Sequence, residues 1–334
     1  MAQVVTLGEL LLRLSAPGAT RLVQSNVLDV SFGGSEANVA AALSQWGVST
    51  KYVSQFADNV IGDAAVQALL RFGIDVSNIK KSKHRMGIYF LEHGNSLRAP
   101  HVVYDRFDSA FANIESSSFN WDEILQDAEW FHWSGITPAI SASAANACRE
   151  AIAVARKKNI VVSGDINYRR VLWQYGKTPL DVMPELIAQC DVVIGGLVDF
   201  ENSLNIKASG KHAFEKVCTE VQKKYPQVKQ IAKTLRLTAD ASHNELQGFL
   251  WNGEKIVSSK TYRLLPIADR IGSGDAFMAG FIYKCLQREK NQQVIEFATC
   301  AAAYKHTMQG DVLQAKAKEV EMITRNESIG KLLR

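Results

Sequence analysis

Close to the end of the chain stands Asp269-Arg270-Ile271-Gly272-Ser273-Gly274-Asp275-Ala276-Phe277-Met278-Ala279-Gly280. A glycine turn runs straight into an apolar, small-residue helix, with an aspartate at the junction. Such a turn aims free backbone N–H groups, and the positive end of the helix dipole, at one point. Asp275 places a proton acceptor beside that anion site. An anion hole next to a carboxylate base is what moving a phosphoryl group onto a hydroxyl requires. Ala276, Ala279 and Gly280 let the helix press close to a sheet and hold the aspartate rigidly. The plain alternative is a helix N-terminus with an acidic cap.

A second glycine-to-helix junction lies near the start, at Phe32-Gly33-Gly34-Ser35-Glu36-Ala37-Asn38-Val39-Ala40. Two glycines permit close approach of backbone to a ligand. Asn38, one turn into the helix, offers both a donor and an acceptor, which suits sugar hydroxyls. Read alone, the same residues also fit a tight turn with a surface asparagine.

Both junctions need a scaffold, and the pattern supplies one. Apolar, β-branched runs at Val4–Gly8, Lys51–Gln55, Trp130–Ser134, Ile160–Asp165, Val192–Gly195 and Gln230–Thr234 read as strands. Helical patterns alternate with or follow them near Ser35–Trp46, Gly62–Phe72, Ser141–Lys158, Pro179–Gln189, Lys211–Lys224, Asp275–Arg288 and Gln292–Met308. That alternation predicts an α/β fold with a mostly parallel sheet covered on both faces. Several runs end in polar or glycine residues, and the carboxyl ends of such strands line the ligand crevice. Residues 12–32 and 86–107 break the alternation. They are strand-like and turn-rich, and are expected to form a flap over the crevice, the second as a hairpin turning at His93-Gly94-Asn95. Neither repeats nor a linker divide the chain, so residues 1–334 are expected to form one domain.

Composition is that of an ordinary globular protein, with 47% hydrophobic and 22% charged residues. The net charge of +4 is scattered, and the densest basic run, Lys80 to Arg85, lacks interleaved aromatics. It reads as a solvated loop, so no nucleic-acid partner is expected. No apolar run is long enough to span a bilayer, and no membrane partner is expected. The five cysteines form no C-x-x-C pair, the start lacks a basic leader, and a cytoplasmic location is expected. His132, within Trp130-Phe131-His132-Trp133, reads as a core histidine. Gly176-Lys177-Thr178 lacks the leading glycine of a phosphate loop, and no H-R-D or D-F-G is present.

Together the G-G-x-x-x-N-V-A and G-x-G-D-A-F-x-A-G patterns resemble the paired signatures of the ribokinase-like (PfkB) family of sugar kinases, over nearly the whole chain. The resemblance implies a three-layer α/β/α sandwich with a mostly parallel central sheet and a small β-strand flap. Within that family the chain looks most like 2-keto-3-deoxygluconate kinases, on Tyr104-Asp105-Arg106, on Asp165-Ile166-Asn167-Tyr168-Arg169 and on Lys305 to Asp311. The implied co-substrate is ATP with Mg2+. Asp275 is then the base, and Gly272, Ser273 and Gly274 form the anion hole. The sugar is expected against Gly33, Gly34, Ser35 and Asn38, beneath Tyr89 and Tyr104, with Asp311 a late contact. Its carboxylate suits the planar forks of Arg106 and Arg169. The nucleotide is expected along Asn167, Lys233, Thr234, Arg236, Gly272 and Gly274. Asp199 keeps an acid where the family carries a metal-linked glutamate, although Gly195-Gly196 replace the usual asparagine. The strand at Lys233-Thr234-Leu235-Arg236 lacks the family's loop glycines. Alternatives are a kinase for another small sugar or a nucleoside, and a catalytically weak sugar sensor. Flap pairing between subunits would make a homodimer or larger homo-oligomer.

Overall fold

The computed structural model describes residues 3–238 and 244–327. Its strands are β1 (Gln3–Leu7), β2 (Leu11–Ser15), β3 (Asp29–Gly33), β4 (Ser49–Ala57), β5 (Ile79–Ser82), β6 (Ile88–Glu92), β7 (His101–Asp105), β8 (Trp130–Ser134), β9 (Val161–Asp165), β10 (Val192–Ile194), β11 (Gln230–Thr238), β12 (Asn244–Trp251), β13 (Ile256–Ser258) and β14 (Tyr262–Leu264). The main sheet runs β13-β12-β11-β10-β9-β8-β1-β4-β5, with β14 paired to β12. From β5 through to β11 every pairing is parallel; β12 then runs antiparallel to β11, β13 and β14.

Helices cover both faces. On one, the helices Ala142–Lys157, Pro179–Ile187 and Ala213–Lys224 pack on Val5, Leu7, Phe131, Val162 and Ile231; on the other, Ser35–Gln45, Ser273–Leu286 and Asn291–Lys305 pack on Val4, Trp130, Val192 and Ala232. Alternation along each strand divides the two cores. The helix Ala142–Lys157 shows why such segments fold as they do. The Ser141 side chain caps Ala144 N–H at 3.1 Å, and Ala144, Ala147, Cys148, Ala151, Ile152 and Ala155 bury one stripe at helical spacing. Arg156 and Lys157 sit in its last turn, and Asn159 breaks it in the left-handed region (φ 57°).

Outside the main sheet, β3-β2-β6-β7 form a four-stranded sheet in the two segments expected as the flap. Here β6 and β7 do make an antiparallel hairpin, but its connection runs through residues 93–100 rather than turning tightly at His93-Gly94-Asn95. Register places Arg13 beside Tyr89 and Tyr89 beside Tyr104 on one face. The opposite face carries Leu14, Val30, Phe90 and Val103.

The sequence pattern misses β5, β12, β13 and β14, and the helices Trp121–Ile124, Ile136–Ile140, Leu197–Leu204 and Ala317–Thr324. For β12 the cause is local. Its inward positions are Asn244, Leu246, Gly248 and Leu250, so polar and glycine residues dilute the alternation. Gly248 is needed there, because a Cβ would lie 2.0 Å from Thr299 Oγ1. The small face of the Ser273–Leu286 helix also meets a different neighbour from the one expected: Gly280 approaches a helix, with a Cβ position 2.8 Å from Ala298 Cα.

Candidate active site

A cavity of about 300 Å³ opens between the inner face of the flap and the carboxyl ends of the central strands. Its walls include Glu9, Gly33, Gly34, Ser35, Glu36, Asn38, Tyr89, Tyr104, Arg106, Asn167, Arg169, Arg236, Arg270, Gly272, Ser273, Gly274, Asp275 and Asp311. This volume lies in the range of small-molecule sites.

Asp275 stands in the first turn of the Ser273–Leu286 helix and is 9% exposed. Ser35 Oγ donates to its Oδ1 at 2.7 Å and Asn38 Nδ2 to its Oδ2 at 2.7 Å. The two glycine-to-helix junctions, 237 residues apart at these contacts, are thus joined at the carboxylate itself. Among the described residues Asp275 forms no ion pair. Burial raises its pKa to about 6, against the lowering effect of the Asn38 and Ser35 hydrogen bonds; the charge of Asp311 raises it further and Arg169 lowers it.

Behind it, Gly272 caps the helix with φ 80°, a left-handed conformation that favours glycine. A Cβ there would lie 1.7 Å from the carbonyl oxygen of Asp311. The N–H groups of Ser273, Gly274 and Asp275 have no partner within the helix, and they belong to the wall of the cavity. Gly33 and Gly34 are equally constrained. Their Cβ positions fall 1.9 Å from Asp311 Oδ2 and 2.2 Å from the Glu9 carbonyl oxygen.

Two arginines expected to act alike differ. Arg106 is 4% exposed; its guanidinium pairs with Glu9, Nε donating to Oε2 at 2.8 Å, and lies 5.6 Å from the Tyr104 ring. Its charge is therefore matched by Glu9, while the residue lines the cavity where the sugar carboxylate was expected. Arg169 is exposed, donates only to the Tyr168 carbonyl, at 3.0 Å, and forms no ion pair with a described residue. On the nucleotide side, Arg236 is exposed on the cavity wall with Arg270 nearby. Desolvation against that wall, then the like charge of Arg270, lower the Arg236 pKa, a repulsion an anion between them would relieve.

Lys233 requires a correction. Its ammonium sits 4.4 Å from the Phe214 ring centre and 5.4 Å from that of Phe249. Period-2 alternation puts Lys233 and Arg236 on opposite faces of β11, so the lysine faces the core beside Phe214 and is absent from the cavity. Thr234, exposed on the Arg236 face, does not line the cavity either. Asp199 is likewise absent from its walls. Its oxygens accept from Gly196 N–H at 2.7 Å and Tyr168 N–H at 3.1 Å, so it caps its own helix and ties down the Asp165-Ile166-Asn167 turn. In that turn Asn167, with φ 40°, donates its N–H to Asp165 Oδ1 at 3.1 Å and lines the cavity. Burial, then Asp199, then Asp275 raise the Asp165 pKa to about 8. His132 is a core residue as expected, bonded to Ser163 Oγ at 2.9 Å, with burial pushing its pKa down to about 3.

Residues the motifs did not single out complete the site. Glu36 is buried, accepting from Ser134 Oγ at 2.8 Å and Thr137 Oγ1 at 3.0 Å, and burial raises its pKa to about 7. Arg13 and Asp269 join Asp311 and Tyr89 in a buried network. One signal was available: Arg13 is a lone charge in the apolar run Leu10-Leu11-Leu12-Arg13-Leu14.

An α/β/α fold with a flap, a glycine turn that opens a helix onto the cavity and a buried carboxylate in its first turn suit a phosphotransferase acting on small hydroxyl compounds. Residues 1–316 match the family described as pfkB family carbohydrate kinase, and the chain belongs to that family. It is similar to a solved 2-dehydro-3-deoxygluconokinase from Thermotoga maritima, at 37% identity and a TM-score of 0.93 over 97% of this chain and 100% of that one. It is also 26% identical to a 2-dehydro-3-deoxygalactonokinase of Haloferax volcanii over 98% of each chain, and 28% identical to a 5-dehydro-2-deoxygluconokinase of Geobacillus thermodenitrificans over 90% of this chain and 86% of that one.

The two bonds on Asp275 carry a testable consequence. With Asp275 as the proton acceptor, turnover is expected to fall as pH drops through about 6. Both bonds lower the Asp275 pKa, so Ser35→Ala or Asn38→Ala is expected to move that acid limb to higher pH. The kcat–pH profile measures it, and an unmoved limb in both variants refutes it.

Proposed function

We propose that the protein transfers the γ-phosphoryl group of ATP to the terminal hydroxyl of 2-keto-3-deoxygluconate, giving the 6-phosphate, as one catalytic unit with its flap as a lid. The observation that carries this reading is the ionisable Asp275, held by Ser35 and Asn38 at the mouth of the glycine turn. All three solved and curated relatives above are named for keto-deoxy sugar acids, and Arg169 gives the cavity a cation available to a carboxylate.

In this reading the sugar lies under Tyr89 and Tyr104 against Gly33, Gly34, Ser35 and Asn38, its carboxylate toward Arg169. The hydroxyl oxygen bonds to the γ-phosphorus as the bond to the β,γ-bridging oxygen breaks. Asp275 accepts the hydroxyl proton and ADP leaves. The amides of Ser273, Gly274 and Asp275 hold the transferring oxygens, while Arg236 and Asn167 meet the nucleotide phosphates. Flap closure excludes water and limits ATP hydrolysis. Asp165 lies near Asp199 and Asp275, whose charges raise its pKa after the larger effect of burial, but no group of three or more His, Cys, Asp or Glu side chains among the described residues could hold a metal ion. Mg2+ would then be held chiefly by the nucleotide phosphates, whose charge it would neutralise.

Incubation with Mg-ATP and a panel of 2-keto-3-deoxygluconate, its galacto epimer, fructose and ribose tests the reading by ADP release. The keto-deoxy acid is expected to react fastest. Faster turnover of fructose or ribose would select another sugar kinase, and no ADP with any sugar would leave a sensor.

The flap also favours a homodimer. Val30 and Val103, on its outer face, are 66% and 53% exposed, beside Leu14 and Phe90. Val30→Asp with Val103→Asp is expected to turn a dimer into a monomer by sedimentation, and a monomeric parent protein rejects the assignment. No described helix is long and apolar enough to cross a membrane. The five cysteines are all unpaired, which favours a reducing, cytoplasmic location.

A further inference from the structure

We propose that Arg13 is a positioning residue that couples the flap to the phosphate cradle, latching the sugar-facing sheet to the two carboxylates that frame the glycine turn. The inference rests on the kinase reading above. Arg13 lies in the middle of β2 and is 2% exposed. One guanidinium nitrogen donates to Asp311 Oδ1 at 2.5 Å and the other to Asp269 Oδ2 at 2.6 Å. Each carboxylate bears on the turn. Asp269 Oδ1 accepts from Ile271 N–H at 3.0 Å, the residue before Gly272, and its Oδ2 from Gly310 N–H at 3.1 Å. The main chain of Asp311 supports Gly272 directly, since any Cβ there would collide with its carbonyl oxygen. From the neighbouring flap strand, Tyr89 donates its hydroxyl between the Asp311 oxygens, at 2.8 and 2.7 Å.

Stability alone does not account for this arrangement. A buried ion pair is often no better than well-packed apolar residues of the same volume. Apolar residues at 13, 269 and 311 together would simply continue the apolar run around position 13. What the arginine adds is direction: two bonds at fixed angles from a flap strand to both ends of the frame around the anion hole. The same sheet continues through β3 into Gly33-Gly34-Ser35, which wall the cavity. A sugar that settles the flap therefore fixes Arg13, and Arg13 fixes the turn. Phosphate binding then tightens when sugar is bound, and sugar binding tightens equally when the nucleotide is bound.

Titration calorimetry of a non-hydrolysable ATP analogue with magnesium, with and without saturating 2-keto-3-deoxygluconate, tests the latch. In the parent protein the sugar is expected to tighten nucleotide binding about 5- to 150-fold, and in Arg13→Met by less than about 2-fold. Arg13→Lys, which keeps the charge but cannot span both carboxylates, is expected to behave as Arg13→Met. A parent factor near one, or variants that keep the parent's factor, overturns the proposal. Should Arg13→Met fail to fold, Arg13→Lys decides, because it keeps a positive charge beside Asp311 and Asp269 but cannot bridge the two. Failure of the kinase reading shows instead as no ADP release from the parent on the sugar panel; failure of the latch shows as normal turnover without coupling.

Discussion

Asp275→Asn is expected to turn over about 10²- to 10⁴-fold more slowly than the parent protein, the range that loss of a positioned general base produces. Shape is conserved, and Ser35 can rotate its hydroxyl to suit an amide, so KM for sugar and for ATP should stay near the parent values. A loss confined to kcat identifies an interaction made only during reaction. The same variant should be no less stable than its parent at neutral pH. The folded-state pKa of about 6 lies above the ordinary aspartate value, so the folded protein prefers the protonated acid. Stability from this group is therefore greatest at acid pH and declines as pH rises through about 6, by about 3 kcal/mol from a shift of roughly two units. An amide, neutral at every pH, avoids that loss. Rates from single turnovers, set beside thermal melts at pH 5 and pH 8, check both halves. Near-parental turnover would remove Asp275 from the chemistry.

Arg169→Ala carries the second large effect. A charge-assisted hydrogen bond to a carboxylate contributes about 1.5–3 kcal/mol, so kcat/KM for the keto-deoxy acid should fall about 10- to 150-fold. For fructose, which has no carboxylate, the change should be small. Arg169 is exposed and forms no ion pair with a described residue, so the fold should be unaffected; because its charge also lowers the Asp275 pKa, both sugars are compared at a pH well above 6. Arg106→Ala is a poor substitute for this experiment, because it strands the buried carboxylate of Glu9. Equal loss on acidic and neutral sugars after Arg169→Ala would show that the residue does not read the carboxylate.

The contrast between these two arginines marks where reading along the chain stops. Arg106 and Arg169 are the same residue type, each within two positions of a tyrosine and each in a segment that looks like a substrate wall. What separates them is Glu9, 97 positions away from Arg106 and at the end of a different strand. Lys233 and Asp199 teach the same lesson. One faces Phe214 because its strand alternates, and the other is used up by two backbone N–H groups.

The amino-acid sequence by itself determined the βα alternation, the two glycine-to-helix junctions, the aspartate proposed as the base and the segments that become the flap. Each is a local property: periodicity, turn chemistry and helix starts depend on residues a few positions apart. Only the tertiary structure decided which charges are free and which are already matched, how Ser35 and Asn38 reach across to Asp275, and that Arg13 ties the flap to the turn. Those outcomes depend on through-space distances between residues tens to hundreds of positions apart, and electrostatic energy at a buried group follows distance and burial rather than order along the chain.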